Sequence, residues 1–277
     1  MLIAQISDLH IRPSGVLAYG VAETNIMAER AINAVSRLSP RPNAVVLTGD
    51  AADCGLDEEY AILRTLLDRL PCPVHVMPGN HDRREAMRAA FADRGCFTPE
   101  GPLNHAADVG PIRMICLDSL SDGASHGELM DETLAFLEAD LEAHSHRPSL
   151  VCLHHPPILC GISHMDRIRL LRGAAELERI IGSHPNVERL LAGHHHRSIQ
   201  ARFAGTICQT APSVAHAVAL DLNPGAPSAF VLEPPGFLLH QWIEGAGFVT
   251  HTSFIDRAPG PFPFIMPDEY PGGMLPR

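Results

Sequence analysis

Five short polar clusters, each directly behind a β-rich apolar run, constrain this chain more than any other feature. They are "SDLH" with Asp8 and His10, "TGDAADCG" with Asp50, "PGNHD" with Asn80 and His81, "LHHPP" with His154 and His155, and "GHHH" with His194, His195 and His196. The runs before them, Leu2 to Ser7, Ala44 to Thr48, Val74 to Met77, Leu150 to Leu153 and Val187 to Ala192, read as buried strands, and Ile112 to Leu117 is a sixth. Between the runs, Ile26, Ile32 and Val35, then Tyr60, Leu63, Leu66, Leu67 and Leu70, then Leu134, Leu137 and Leu141 recur at helical spacing. This alternation predicts an α/β core with helices packed on a central sheet. In such folds the loops leaving the strand carboxyl ends line the ligand crevice, so the five clusters are expected on one rim.

Their side chains are Asp, Asn and His, a donor set suited to Zn, Mn, Fe or Co, with no cysteine among them. In extended backbone, residues two apart project to the same side. On that reading Asp8 and His10 can reach one ion, and His194 and His196 face it while His195 turns away. His155, beside Pro156, is expected to stand behind the ligands. Within "GNHD", Asn80 or Asp82 could instead cap a helix.

All 21 basic residues are arginine, which excludes lysine chemistry such as a Schiff base or a P-loop phosphate clamp, and the net charge of −11 speaks against a nucleic-acid polymer as partner. No apolar run is long enough to span a membrane, and the opening "MLIAQISDLH" reads as a strand rather than a signal peptide, so a cytoplasmic protein is expected. Seven scattered cysteines without a CxxC pair point to reduced, mostly buried thiols.

After Thr210 the pattern changes to strand-like runs, "AHAVALDL", "SAFVLE", "GFLLHQWI" and "FVTHTS", separated by Pro/Gly turns. The division expected is a large domain over residues 1–212 and a β-rich region over 213–277. The Pro-rich tail from Ala258, with Phe and Met, is expected to dock on the core or on a neighbouring subunit.

The series D-x-H, G-D, G-N-H-D, H-H and G-H-x-H, together with "ADCGLDEEY" and "HHPP", resembles the calcineurin-like metallophosphoesterase superfamily over roughly residues 1 to 200. Within it, the chain is most similar to the bacterial cyclic-nucleotide and glycerophosphodiester phosphodiesterases of the class III group. The resemblance implies a β-sandwich flanked by helices (αββα), a catalytic domain over 1–212 and a small β-rich C-terminal cap that makes a homo-oligomer. It implies two divalent ions, Mn, Fe, Zn or Co: Asp8, His10, Asp50 and His196 around the first, Asp50, Asn80, His154 and His194 around the second, with Asp50 bridging. His81 would stand beside the phosphate as a catalytic group, and His195 would have no role.

The implied reaction is hydrolysis of a small-molecule phosphodiester by hydroxide generated at the ions. Protein phosphatases of the superfamily carry an arginine where this chain has Cys54, and losing that cation disfavours a dianionic monoester. A phosphomonoesterase or a nuclease of the superfamily is the alternative. A non-enzymatic scaffold would show gaps among the ligand positions, and here all seven are filled. Tyr19, His164 and His216 are further candidates for the substrate pocket.

Overall fold

The structure is a computed structural model that describes residues 1–262 and 264. The chain begins with β1 (Leu2–Ile6), α1 (Thr24–Ser36), β2 (Ala44–Thr48), α2 (Asp57–Leu67), β3 (Val74–Met77) and α3 (Arg84–Ala90). It continues with β4 (His105–Val109), β5 (Ile112–Cys116), β6 (Gly127–Glu128), α4 (Asp131–Ala143), β7 (Ser149–Cys152), α5 (Ser163–Asp166), β8 (Leu170–Arg172), α6 (Ala174–Ser183) and β9 (Val187–Ala192). Beyond β9 the described residues hold only strands: β10 (Ile199–Phe203), β11 (Thr206–Thr210), β12 (Ala217–Val218), β13 (Phe230–Val231), β14 (Gly236–Ile243) and β15 (Gly247–Phe254).

Two main sheets form, ordered β15-β14-β1-β2-β3 and β10-β11-β9-β7-β5-β4. Strand alternation sorts their side chains into three apolar layers. Ile3, Val46 and Met77 of the first sheet meet Met114, Leu150 and Leu191 of the second in the middle of the sandwich. The opposite faces, Ala4, Ile6, Val45 and Leu47 on one side and Ile115, Val151 and Leu190 on the other, are covered by α1–α3 and by α4 and α6. This is the helix–sheet–sheet–helix order that the resemblance implied.

The pairings β1‖β2‖β3 and β5‖β7‖β9 are parallel, so the loops after β1, β2, β3, β7 and β9 leave by strand carboxyl ends. One buried polar chain crosses the middle layer. Gln5 Nε2 donates to Thr48 Oγ1 at 3.1 Å and to the Ala192 carbonyl at 2.9 Å, bridging the sheets just under those loops.

One expectation is corrected. Ile26 does not lie on the buried stripe of α1 but is 56% exposed, and the inward face is Thr24, Ala28, Ala31, Ile32 and Val35. Six residues separate Ile26 from Ile32, about 600° of rotation at 3.6 residues per turn, which leaves them about 120° apart, too far for one buried stripe. Part of the region beyond residue 212 joins the first sheet. Strand β14 pairs antiparallel with β1 along Leu2↔Gln241 to Gln5↔Leu238, so the β14–β15 hairpin belongs to the first sheet and adds Phe237 and Phe248 to its two faces. The two-residue pair β12–β13 belongs to neither main sheet. The apolar tail beyond Phe264 lies outside the described residues. Among the described residues no helix is long and apolar enough to cross a membrane.

Candidate active site

The loops behind β1 and β2 are laced together by backbone: Asp8 N–H donates to the Gly49 carbonyl at 3.1 Å and His10 N–H to the Asp50 carbonyl at 3.0 Å. Asp8, His10, Asp50, His194 and His196 all take left-handed φ, between 47° and 66°. Such φ costs a residue with a Cβ roughly 1–2 kcal/mol, so each loop is held open by its neighbours. This corrects the premise of extended backbone at "DLH" and "HHH". His194 and His196 do face one site, but because the chain turns left-handed at both, and His195 is buried with neither ring nitrogen hydrogen-bonded among the described residues. Gly49, at φ 84°, lies where a Cβ would overlap the His154 ring, and a Cβ on Gly79 would overlap the Asp50 carboxylate.

Two donor groups gather around Asp50. In one, His196 Nε2 is 3.3 Å from Asp8 Oδ1 and 3.2 Å from His10 Nε2, which is 3.6 Å from Asp50 Oδ2. In the other, His154 Nε2 is 3.4 Å from Asp50 Oδ2, 3.3 Å from Asn80 Oδ1 and 3.2 Å from His194 Nδ1. Ligands about 2.1 Å from an ion stand roughly 3.0–3.4 Å apart in octahedral or tetrahedral geometry, so both groups have metal-site spacing.

The far side of three of the four histidine rings is fixed, His194 Nε2 having no partner among the described residues. The Nδ1–H of His10 donates to Asp53 Oδ1 at 3.0 Å, that of His154 to the Thr48 carbonyl at 2.8 Å, and that of His196 to the His216 carbonyl at 2.8 Å. Each bond turns Nε2 inward, placed to bind a metal once it carries no proton. Burial, reinforced by His10, holds His196 down at about 3, and burial with the neighbouring His155 and His154 holds His194 well below the ordinary range, so both are neutral donors at pH 7. Burial works against charge on His154 and Asp50. Even so, Asp50 lifts His154 to about 9, and His154 with His81 holds Asp50 well below the usual carboxylate range.

Asp8 is the counterexample: burial pushes it up to about 6, and its Oδ2 has no partner among the described residues. A buried carboxylate oxygen without a donor is what a cation would satisfy. Donor chemistry, spacing, tautomers and this orphaned oxygen all fit divalent metal ions.

A cavity of about 340 Å³ opens above the two groups, and His10, Asp50, Asn80, His81, His194 and His196 form its floor. Tyr19, His164 and His216 line its wall, so the three side candidates from the sequence reach it. The His216 ring lies 5.3 Å from Tyr19 and 5.1 Å from Phe230. His155 does not line it. His155 is buried, shares a 2.9 Å hydrogen bond with Ser119 Oγ, and its ring is 4.6 Å from that of His194.

Asp82 caps no helix. It accepts from Ala51, Ala52 and Gly79 N–H and from the Tyr60 hydroxyl, tying the loops after β2 and β3 together. Sequence reasoning missed Asp53, although it stood inside a quoted motif, and Phe230, which only the tertiary fold brings to the wall.

Cys54 is exposed, and Arg12 Nη1 donates to its sulfur at 2.8 Å, so an arginine does approach the position vacated in this chain. Asp53 and Glu59 neutralise that guanidinium at 3.2 and 3.3 Å, and among the described residues no arginine lines the cavity. All seven cysteines are unpaired, but only Cys116, Cys152 and Cys208 are fully buried, fewer than expected.

Residues 1–198 match the family described as calcineurin-like phosphoesterase. Over 264 residues the chain is 38% identical to a probable glycerophosphodiester phosphodiesterase from Arcobacter nitrofigilis, covering 95% of this chain and 97% of that protein. It is 31% identical over 247 residues to the 3′,5′-cyclic adenosine monophosphate phosphodiesterase from Pseudomonas aeruginosa, covering 88% and 85%. Its fold is similar to that of a dimetal phosphatase from Danio rerio, with a TM-score of 0.62 at 15% identity over 92% of this chain and 99% of that one.

Proposed function

Since the chain belongs to the calcineurin-like phosphoesterase family, we propose that it hydrolyses small-molecule phosphodiesters with two divalent metal ions seated in its rim loops. Asp8, His10, Asp50 and His196 would hold one ion, and Asp50, Asn80, His154 and His194 would hold the other. When bound, the ions supply Lewis acidity toward the phosphoryl oxygens and a nucleophile from water at neutral pH.

The protein's own groups do the rest. Asp53, the Thr48 carbonyl and the His216 carbonyl keep three ligand rings aimed inward. His81 donates Nδ1–H to the Asp53 carbonyl at 2.8 Å, which leaves Nε2 to exchange a proton with a substrate oxygen. Asn80 steadies the phosphate, and Tyr19 and His216 meet the alcohol portion from the cavity wall.

The observation that carries the diester reading is the cavity's lack of any arginine above the two donor groups. A dianionic monoester needs a further cation that a monoanionic diester does not. The likeness to the Arcobacter relative over nearly the whole chain supports glycerophosphodiesters first, and the likeness to the Pseudomonas relative supports cyclic nucleotides second. Asp, Asn and His donors accept Mn, Fe, Zn or Co, and availability decides among them. Seven unpaired cysteines support a reducing, cytoplasmic setting, and exposed Leu220, Leu222 and Phe254 support a homo-oligomer through the C-terminal region.

The test is one panel with Mn(II) supplied: an aryl phosphodiester, its monoester, cyclic AMP and glycerophosphoethanolamine. Diesters are expected to lead the monoester by about tenfold or more in kcat/KM, ~1.4 kcal/mol of transition-state binding. A monoester lead would overturn the reading. Asp50→Ala is expected to lose bound metal as well as turnover, and full activity in that variant would rule out the two-ion centre.

A further inference from the structure

Arg12 lies in the loop after β1, and Asn25 pins its backbone from both sides: Arg12 N–H donates to Asn25 Oδ1 at 2.9 Å, and Asn25 Nδ2 donates to the Arg12 carbonyl at 2.8 Å. From that fixed start the side chain crosses to the loop after β2, where the single nitrogen Nη1 stands 3.2 Å from Asp53 Oδ2 and 3.3 Å from Glu59 Oε1. Ion pairs on an open surface contribute little, but this one is sheltered, with Arg12 19%, Asp53 11% and Glu59 0% exposed. Carboxylates so far from water need a fixed cation or donor.

The two carboxylates depend on Arg12 unequally. Glu59 Oε2 also accepts the N–H groups of Cys54 and Leu56 at 2.9 and 3.0 Å, so backbone holds it in any case. Asp53 Oδ2 has only the Cys54 thiol, at 4.0 Å, as a further partner among the described residues. The other oxygen, Oδ1, lies between two imidazoles, 3.0 Å from His10 Nδ1 and 3.6 Å from His81 Nδ1. With Oδ2 tied to Arg12, the carboxylate keeps the one orientation in which Oδ1 takes His10. Without that tie it is free to turn toward His81 or toward water.

We propose that Arg12 is a positioning residue: through Asp53 it keeps His10 Nε2 turned toward the first ion's seat, although it touches neither ion nor substrate. This rests on the two-ion reading of the rim loops. It confines the effect to one seat, because in the second donor group His154 leans on the Thr48 carbonyl instead.

The experiment is calorimetric binding of Mn(II) to the metal-free protein, which reads affinity without turnover. Wild type is expected to bind two ions. Arg12→Met, which keeps the stem and removes the charge, is expected to bind one of them about tenfold more weakly, the low end for loss of an outer partner, and the other as before. Arg12→Lys is expected to recover most of that loss, since the contacts run through one nitrogen rather than a two-pronged fork. In Asp53→Asn, which leaves no carboxylate to hold, adding Arg12→Met should cost little more, whereas a general loosening of the loops would cost the same tenfold again. Should Arg12→Met fail to fold, Arg12→Gln serves in both backgrounds. Equal binding by wild type and the charge-removing variant, or a full loss repeated in Asp53→Asn, would overturn the positioning role and leave the two-ion reading standing. Wild type that binds no Mn(II) would overturn both.

Discussion

Asp53 holds two rings at once, taking the Nδ1–H of His10 on its carboxylate and that of His81 on its carbonyl. Asp53→Asn keeps the carbonyl contact but weakens the acceptor behind His10. Removing such an outer partner typically costs 10–100-fold in metal affinity or activity, and about that loss is expected in a metal titration read alongside kcat/KM. Tyr60 is the matching test on stability: its hydroxyl donates to buried Asp82 at 2.9 Å and accepts from Arg83 N–H at 3.1 Å. Tyr60→Phe leaves both groups short of a partner and should lower unfolding free energy by about 1–3 kcal/mol in a urea titration. The seven clustered donor residues and His81 were legible as a group because each follows an apolar run in a type and order that chance rarely supplies. Asp53 was not, since a carboxylate in a Gly-rich loop looks the same whether it orients a histidine or faces water. The left-handed turns were hidden too, because nothing in "DLH" or "HHH" marks φ > 0 as a glycine would.

The β14–β15 hairpin shows why elements are harder to place than to recognise. Its strands were visible as alternating runs, but their partner, β1, begins more than 230 residues earlier, and alternation carries no address. The β10–β11 hairpin escaped notice altogether: "IQARF" mixes Gln and Arg with half-buried Ile and Phe, and its turn rests on Ala204 and Gly205, both at positive φ. His240 on β14 gives the element a pH signature. Its Nε2–H donates to Gln5 Oε1 at 3.0 Å and its Nδ1 accepts from Thr250 Oγ1 at 2.9 Å, so the buried ring is neutral. Burial, with Arg189 nearby, holds it at about 3, below the ordinary value of 6.5. Below that value the unfolded chain binds a proton the folded one refuses, so this contribution is whole above pH 6.5 and shrinks on acidification toward pH 3. The loss by pH 4 is on the order of 3 kcal/mol. In His240→Gln, unfolding free energy between pH 7 and 4 should fall less steeply than in wild type, and an unchanged slope would show that His240 titrates freely.

At the scale of the molecule, the two sheets meet at the cluster of donor groups, with Asp8, Asp50 and Asn80 behind strands of one and His154, His194 and His196 behind strands of the other. Ions seated there would tie the layers together and would offset the left-handed strain at the five donor residues with positive φ, roughly 5–10 kcal/mol in all, which is comparable with a whole domain's stability. Chelation should therefore lower Tm by about 10 °C or more, reversibly on adding Mn(II), in a thermal scan. The hairpin makes a second whole-molecule prediction. Ending the chain at residue 212, where composition shifts, strips β14 from β1 and bares the middle of a sheet, so that fragment should aggregate rather than fold, as light scattering would show. The same pairing sets an order on biosynthesis. A ribosome releases β1 first and β14 more than 230 residues later, about 10 to 50 s at 5–20 residues per second. Throughout that interval one edge of the first strand stays bare. The chain's most exposed moment in the cell is thus its own translation, when an apolar strand waits for its last neighbour and a chaperone has the most to shield.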